Sequence, residues 1–239
     1  LLTVLLCALE GISCILYNPA VGRLYCASET KTTGNIDKEQ AAMTEVLSEA
    51  QARQIFMDSH ALMNGHFRLS SGRHSDEYWE KFWVLQYPQY VQTLCAEIVR
   101  RFANDDVEVV LGPTTGGILL AFEVARQMGV RALYAEKEDG ERMLRRGLSL
   151  SPGTRTLIVD DIMTTGGATR ECLELASKHK ADVVGVAVLV DRSGGSVRLG
   201  PRQEALLSVL AQTFAPEECP LCAQGIPIKS PGSSAITSS

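Results

Sequence analysis

From residue 107 onward the chain repeats one grammar, and that grammar restricts the fold more than any other feature. Short, nearly all-apolar runs end in small or hydroxylated residues, and stretches with helical spacing lie between them. Val107-Glu-Val-Val-Leu111 leads into Gly112-Pro-Thr-Thr-Gly-Gly117 and then an apolar helical stretch to Met128. Further runs at 131–135, 156–159 and 183–190 read as strands, with a charged insertion at 136–146 and a helix over 167–180. Strands that lack polar alternation must be covered on both faces. The pattern therefore predicts an α/β fold with a central, mainly parallel sheet flanked by helices. In such sheets ligands sit at the carboxyl ends of the strands.

The residues before 107 follow a different pattern. Met43-Thr44-Glu45 opens a helix-like spacing with Val46, Leu47, Ala50 and Ile55, residues 64–76 are rich in Gly, Ser and His and read as a loop or hairpin, and a helix is expected near 88–102. The expected organisation is a small N-terminal hood at about 43–104 on a core at about 105–229, together one domain over 43–229. Residues 1–42 are expected to be a leader outside that fold. Their apolar stretch, 1–17, is broken by Glu10, has no basic residues before it and is short for a membrane span. The tail at 230–239 is low in complexity and expected to be disordered.

Charge narrows the ligand. A formal net charge of -5 provides no general basic field for nucleic acid, so phosphate recognition must be local and the ligand small. Cys7, Cys14, Cys26, Cys95, Cys172, Cys219 and Cys222 form a scattered, odd set, unlike a secreted disulfide framework, which predicts reduced thiols and a cytoplasmic location. Cys219-Pro-Leu-Cys222 is the only close pair. Structural zinc normally takes four ligands, and His60, His66, His74 and His179 show no second spaced pair, so zinc is not expected there.

The densest chemical signal is Thr156-Leu-Ile-Val-Asp160-Asp161-Ile162-Met163-Thr164-Thr165-Gly166-Gly167-Ala168-Thr169. A buried strand delivers two carboxylates at its carboxyl end, and a turn of small and hydroxylated residues then enters a helix. Backbone N–H groups at a helix start have no intrahelical partner, so with threonine hydroxyls they can wrap a phosphate. Consecutive strand residues point in opposite directions, so Asp160 and Asp161 should differ in role if the strand continues through them. A cap and tight turn alone would need neither two acids nor two threonines with two glycines. No Gly-Lys-Ser or Gly-Lys-Thr ends either glycine turn, and 112–117 lacks dinucleotide-fingerprint spacing.

The string resembles the phosphoribosyl pyrophosphate (PRPP) motif of the type I phosphoribosyltransferases. Within them the chain is most similar to orotate phosphoribosyltransferases with a compact catalytic loop. The resemblance covers roughly 43–225 and rests on separated segments: Gly65-His-Phe-Arg-Leu-Ser-Ser-Gly-Arg-His-Ser-Asp76, Val84-Leu-Gln-Tyr-Pro88, Gly112-Pro-Thr-Thr-Gly-Gly117, Tyr134-Ala-Glu-Lys-Glu-Asp-Gly140, Leu144-Arg-Arg-Gly147, the 160–169 string, Val190-Asp-Arg-Ser-Gly-Gly195 and Cys219-Pro-Leu-Cys222.

The resemblance implies a type I phosphoribosyltransferase-like fold and a reaction in which orotate and PRPP give orotidine 5'-monophosphate and pyrophosphate, a step of pyrimidine biosynthesis. It implies that Asp160 and Asp161 face the ribose hydroxyls and Mg2+, directly or through water, and that Ile162, Met163, Thr164, Thr165, Gly166, Gly167, Ala168 and Thr169 form the PRPP loop. Thr114, Thr115, Gly116 and Gly117 approach the pyrophosphate, and Lys137 contacts PRPP and acts in catalysis with the two aspartates. Thr164 and Arg192 match positions that contact orotate, and a planar guanidinium suits a carboxylate-bearing base. A homodimer is also implied, with no nucleic-acid or membrane partner.

Tyr78 and Trp79 read equally as base contacts or core, and Arg145 and Arg146 as pyrophosphate ligands or an exposed basic turn. Cys172 is expected to be buried and inert. Three positions depart from the longer-loop members: 138–143 offers only Arg142, Ser70 stands where they carry lysine, and Lys81 is displaced from the lysine expected before Val84-Leu85. The alternative functions are a purine-base phosphoribosyltransferase and a non-catalytic PRPP-sensing regulator. Arg192 and 65–76 weigh against the first, and the acidic chain without a basic recognition element weighs against the second.

Overall fold

The computed structural model describes residues 14–18, 23–27, 46–69, 71–210 and 212–231. Two compact units result, Leu1–Glu45 and Val46–Ser239. In the first, strands β1 (Cys14–Asn18) and β2 (Arg23–Ala27) pair antiparallel, Cys14 opposite Ala27. The expected tail falls mostly outside the described residues, as does Ser70.

The second unit is built on a six-stranded sheet. Its strands are β5 (Val109–Pro113), β6 (Arg131–Glu138), β7 (Glu141–Met143), β8 (Arg155–Met163), β9 (Asp182–Asp191) and β10 (Gln203–Ser208), in the order β10-β9-β8-β5-β6-β7. All neighbours run parallel except β6 and β7, which form an antiparallel hairpin. The mixed α/β architecture with a mostly parallel sheet is therefore as the apolar runs predict. The helices are α1 (Glu49–Asp58), α2 (Lys81–Leu85), α3 (Pro88–Arg101), α4 (Gly116–Met128), α5 (Gly167–Lys178) and the short α6 (Pro220–Ala223).

The absence of polar alternation in the strands has a direct packing cause. Val110, Leu157, Val159, Ala187 and Leu189 enter one buried cluster with residues of α1, α3 and α4, whereas Val109, Leu111, Ile158, Val186 and Val188 enter another with Cys172, Leu175 and Ala176 of α5. Alternate side chains leave opposite faces of a strand, and here both faces are dry. Pro88 opens α3 at a position where its missing N–H costs nothing. Gly129 ends α4 in the left-handed conformation, φ 72°.

Several boundaries move relative to the sequence reading. The strand expected at 156–159 runs on to Met163. The insertion at 136–146 is partly regular, because β6 continues to Glu138 and turns back as β7. A fifth parallel strand, β10, was not anticipated: its 203–208 run mixes polar with apolar residues as edge strands do. The 64–76 segment belongs to a hairpin of β3 (Leu62–Arg68) and β4 (His74–Trp79), a separate two-stranded sheet. Helix α3 lies in the same buried cluster as β5 and α4 through Val91, Leu94, Cys95 and Ile98.

Strand order fixes where a ligand can sit. The chain moves from β5 outward to β6, then returns to β8 on the other side of β5 and proceeds to β9 and β10. The reversal lies between β5 and β8, the topological switch point at which their carboxyl ends open a crevice. Those ends carry the 112–117 turn and the Asp160–Asp161 pair.

Candidate active site

Because β8 stays extended through both acids, they leave it toward different helices. Asp160 is turned to α5, where its Oδ2 accepts the Thr169 hydroxyl at 3.3 Å, and its Oδ1 accepts the Asp161 N–H at 2.8 Å. Asp161 is turned to α4 and α2: its Oδ1 accepts from Lys81 Nζ at 3.0 Å and from the Ile162 N–H at 2.6 Å. Both carboxylates are buried. Burial, and next the negative charge of Asp161, push the Asp160 carboxyl up to about 7.

One oxygen of the pair has no partner. Asp161 Oδ2 is buried and bonded to nothing, and a Cβ added to Gly116 would lie 1.8 Å from it. Gly116 is therefore glycine because a carboxylate occupies the space a side chain would need. The whole turn is closed in this way: a Cβ on Gly112 would meet Gly117 O at 2.1 Å, and one on Gly117 would meet Pro113 Cδ at 2.6 Å. The Thr114–Thr115 peptide is cis, Thr114 N–H donates to Ala135 O at 3.1 Å, and Thr115 starts α4 without a side-chain cap.

The 164–169 turn has the features of an anion cradle. Gly166 stands at φ 74°, and α5 begins with no side-chain cap; its first intrahelical bond runs from Arg170 N–H to Gly166 O at 2.8 Å. The N–H groups of Gly167, Ala168 and Thr169 are thus free of intrahelical acceptors at the positive end of the helix dipole. Thr164 and Thr165 are exposed, whereas Thr169 is buried and spends its hydroxyl on Asp160. Ile162 is half-buried and Met163 lies in the core.

Arg192 follows β9, where its N–H donates to Met163 O at 2.8 Å. Its side chain is partly buried and Nε is buried without an acceptor. Burial lowers its pKa, while Glu77 and Tyr78 of β4 favour its charge. Glu77 is itself held by Arg53 and by Trp79 Nε1. Of the Tyr78–Trp79 pair, Trp79 packs edge-on against Phe56 in the core, and Tyr78 is half-buried with its ring 5.6 Å from that of Phe67.

The cations of the β6–β7 hairpin are engaged elsewhere. Lys137 Nζ lies 2.7 Å from Glu171 Oε1 on α5, and Arg142 Nε lies 2.9 Å from Glu171 Oε2. Arg142 Nη1 also donates to Ala135 O at 3.1 Å, beside the Thr114 turn. Lys137, and then Arg142, hold the Glu171 carboxyl below its ordinary range. Arg145 and Arg146 pair with Glu138 and Glu136 on the exposed side of the hairpin. Cys172 is fully buried, and burial raises its thiol to about 12.

Sequence reasoning missed Lys81 and Glu171. Lys81 was set aside as displaced, yet it is the cation bonded to Asp161. Helical spacing puts Lys81 and Leu85, four apart on α2, on one face, and only tertiary contact shows that both reach the Gly116–Asp161 junction, where Leu85 Cδ1 would lie 3.1 Å from a Gly116 Cβ. A second correction concerns metal ligands. His66, His74, Cys219 and Cys222 do converge, their donor atoms all within 4.8 Å of one another. The sequence reading looked for a second close pair, whereas the hairpin brings together histidines eight residues apart.

Comparison with known proteins gives the family. Residues 85–199 match the phosphoribosyl transferase domain family. Orotate phosphoribosyltransferase of Desulforamulus reducens is 51% identical over 183 residues, 77% of this chain and 96% of that protein, and that of Pelotomaculum thermopropionicum is 52% identical over 182 residues, 76% and 96%. Among solved structures, orotate phosphoribosyltransferase from Aeropyrum pernix superposes with a TM-score of 0.56 at 24% identity, covering 65% of this chain and 92% of that one. Leishmania donovani UMP synthase gives 0.57 at 22% identity, covering 76% and 41%. These two show the fold, and the nearly full-length matches near half identity show the family: the chain belongs to the orotate phosphoribosyltransferases.

Proposed function

We propose that the crevice between β5 and β8 joins orotate to the ribose of PRPP, giving orotidine 5'-monophosphate and pyrophosphate in pyrimidine biosynthesis. The observation that carries this assignment is Arg192, a partly buried guanidinium with an unfilled buried Nε, close to a cradle suited to a sugar phosphate. An anionic planar base fits it better than a neutral purine, because the buried Nε donor still lacks an acceptor and a carboxylate can take the guanidinium's planar fork.

The residues divide the work by location. The free N–H groups at the start of α5, with Thr164 and Thr165, hold the 5'-phosphate, and Thr164 also borders the base. Asp160 and Asp161 accept the ribose hydroxyls. As the bond from the anomeric carbon to pyrophosphate breaks, positive charge grows on the ribose, and the two buried carboxylates stabilise it. Negative charge grows on the leaving group beside Thr114–Gly117, where the uncapped start of α4 receives it, with Lys137 recruited from Glu171. The attacking nitrogen belongs to orotate, so the protein supplies no nucleophile.

The donor set fits Mg2+. Asp161 Oδ2 is an unfilled hard oxygen next to a second carboxylate, and magnesium is commonly held by one or two carboxylates, waters and substrate phosphates. Bound there, directly or through water, it would neutralise pyrophosphate charge. Cytoplasmic location is supported by Cys95 and Cys172, buried and without disulfide partners. Among the described residues no helix is long and apolar enough to cross a membrane. Homodimerisation is supported by apolar side chains left exposed on packed neighbours, Phe82 and Trp83 of α2 and Leu119 and Phe122 of α4.

The test is orotate depletion with PRPP and magnesium, followed by absorbance, beside an Asp160→Asn, Asp161→Asn double variant. Orotate loss matched by pyrophosphate release, and absent in the variant, is expected. A folded protein that binds PRPP but spares orotate and consumes a purine base instead would overturn the assignment.

A further inference from the structure

The soft donors gathered away from the switch point have no part in the chemistry above. His66 lies on β3, His74 opens β4, and Cys219 and Cys222 bracket the start of α6 near the chain's C-terminus. His66 Nε2 is 3.0 Å from His74 Nδ1, 3.5 Å from Cys219 Sγ and 3.7 Å from Cys222 Sγ, and Cys222 Sγ is 3.3 Å from His74 Nδ1. We propose that these four residues form a tetrahedral, structural zinc site that fastens the C-terminal segment to the β3–β4 hairpin.

Geometry is the first support. Zinc bonds of about 2.0–2.1 Å to nitrogen and 2.3 Å to sulfur give tetrahedral edges of about 3.3 Å between nitrogens and 3.5 Å between nitrogen and sulfur. The four observed separations lie within a few tenths of an ångström of those edges, and all four donor atoms fall within 4.8 Å of one another. Two imidazoles and two thiols are the donors zinc takes in closed structural sites, and they are poor ligands for magnesium.

Hydrogen-bond arithmetic is the second support. His66 Nδ1 lies 2.7 Å from Ile226 O, a carbonyl that can only accept, so this nitrogen carries the proton and a neutral His66 presents a lone pair at Nε2. Three groups crowd that single lone pair: His74 Nδ1 and two cysteine sulfurs. One proton can satisfy it and the other two contacts then bring nothing, whereas one cation satisfies all four donors. The Ile226 carbonyl is the outer partner that metal-bound histidines characteristically have, fixing tautomer and ring orientation.

Placement is the third. His66, His74 and Cys219 are buried and Cys222 is exposed, which leaves an entry path. The same elements are already stitched by backbone bonds: His74 N–H donates to Phe214 O at 2.9 Å, Phe214 N–H to His74 O at 2.8 Å and Lys229 N–H to His66 O at 2.8 Å. The site thus closes a loop of well over 100 residues between hairpin and C-terminal segment, where a cross-link removes most unfolded-state freedom. The hairpin it braces carries Glu77 and Tyr78 to Arg192.

The full chain, purified without chelators or a metal-affinity step, should carry about one zinc per chain by elemental analysis. Replacement with Co2+ should give the visible d–d bands and near-ultraviolet thiolate charge-transfer bands of tetrahedral sulfur coordination. Cys222→Ser with His74→Ala should lose the metal, and His60→Ala with His179→Ala should keep it. If the first variant fails to fold, zinc titration of the chelator-treated wild type, followed by competition with a chromogenic chelator, gives the stoichiometry independently. A folded wild type that retains no stoichiometric zinc after loading, a different metal in its place, or full retention by the Cys222→Ser, His74→Ala variant would overturn the assignment.

Discussion

Asp160 and Gly116 are each constrained by Asp161, one by its charge and the other by its bulk. Asp160 titrates near 7 because it is buried and sits beside Asp161, so its folded-state pKa lies above the 3.8 of an ordinary aspartate. A raised carboxyl pKa means that the folded state binds the proton more tightly. Its favourable contribution is complete below about 3.8 and is lost as pH rises to about 7. Asp160→Asn cannot ionise, so its melting temperature should exceed that of the wild type at pH 8 and approach it at pH 5, while orotate turnover falls by about 100-fold or more. Equal melting differences at both pH values, measured by calorimetry, would show that the charge of Asp160 does not oppose folding. Gly116→Ala addresses the same junction sterically, since its Cβ would lie 1.8 Å from Asp161 Oδ2. The carboxylate must move, and kcat should fall more than tenfold with a cooperative melt retained.

Glu171 latches the β6–β7 hairpin to α5 through Lys137 and Arg142. The Lys137–Glu171 pair is partly exposed, and such pairs contribute up to about 1 kcal/mol, so Glu171→Gln should speed amide exchange across 136–143 roughly fivefold or more and leave the exchange of β8 unchanged. Unaltered exchange by mass spectrometry would mean that the hairpin's backbone pairing alone holds it. This element also marks the limit of what could be read beforehand. The central strands and the 160–169 turn were legible because burial on both faces and a helix entry leave local signatures in adjacent residues. The hairpin was not, since Glu136-Lys-Glu-Asp-Gly-Glu-Arg shows charge and no alternation, and the ion-pair partner of its Lys137 and Arg142, Glu171, lies some thirty residues away. Lys81 and the His66–His74–Cys219–Cys222 cluster were obscured for the same reason. Each is assembled by tertiary contact, across 80 residues for Lys81 and Asp161 and 153 for His66 and Cys219.

The unit over Val46–Ser239 leaves an apolar surface that its own fold does not use. Leu119 and Phe122, three apart on α4, are 47% and 64% exposed, and Phe82 and Trp83 on the adjoining α2 are 48% and 46% exposed. Side chains at that spacing share one helix face, and exposed aromatics grouped on packed neighbours are what the proposed homodimer would cover. Placing that interface on α2 and α4 also puts the partner beside the helices that carry Lys81 and the Gly116 turn. Phe122→Glu should therefore shift sedimentation from dimer toward monomer and reduce turnover with it, because desolvating a carboxylate opposes association. If sites are shared across the dimer, Lys137→Ala subunits mixed with Asp161→Asn subunits should recover about a quarter of wild-type activity, half of the random dimers being mixed and each of these holding one intact site. Sedimentation of Phe122→Glu as a dimer would place the interface elsewhere, and hybrids without recovered activity, after subunit exchange is verified, would confine each site to one chain.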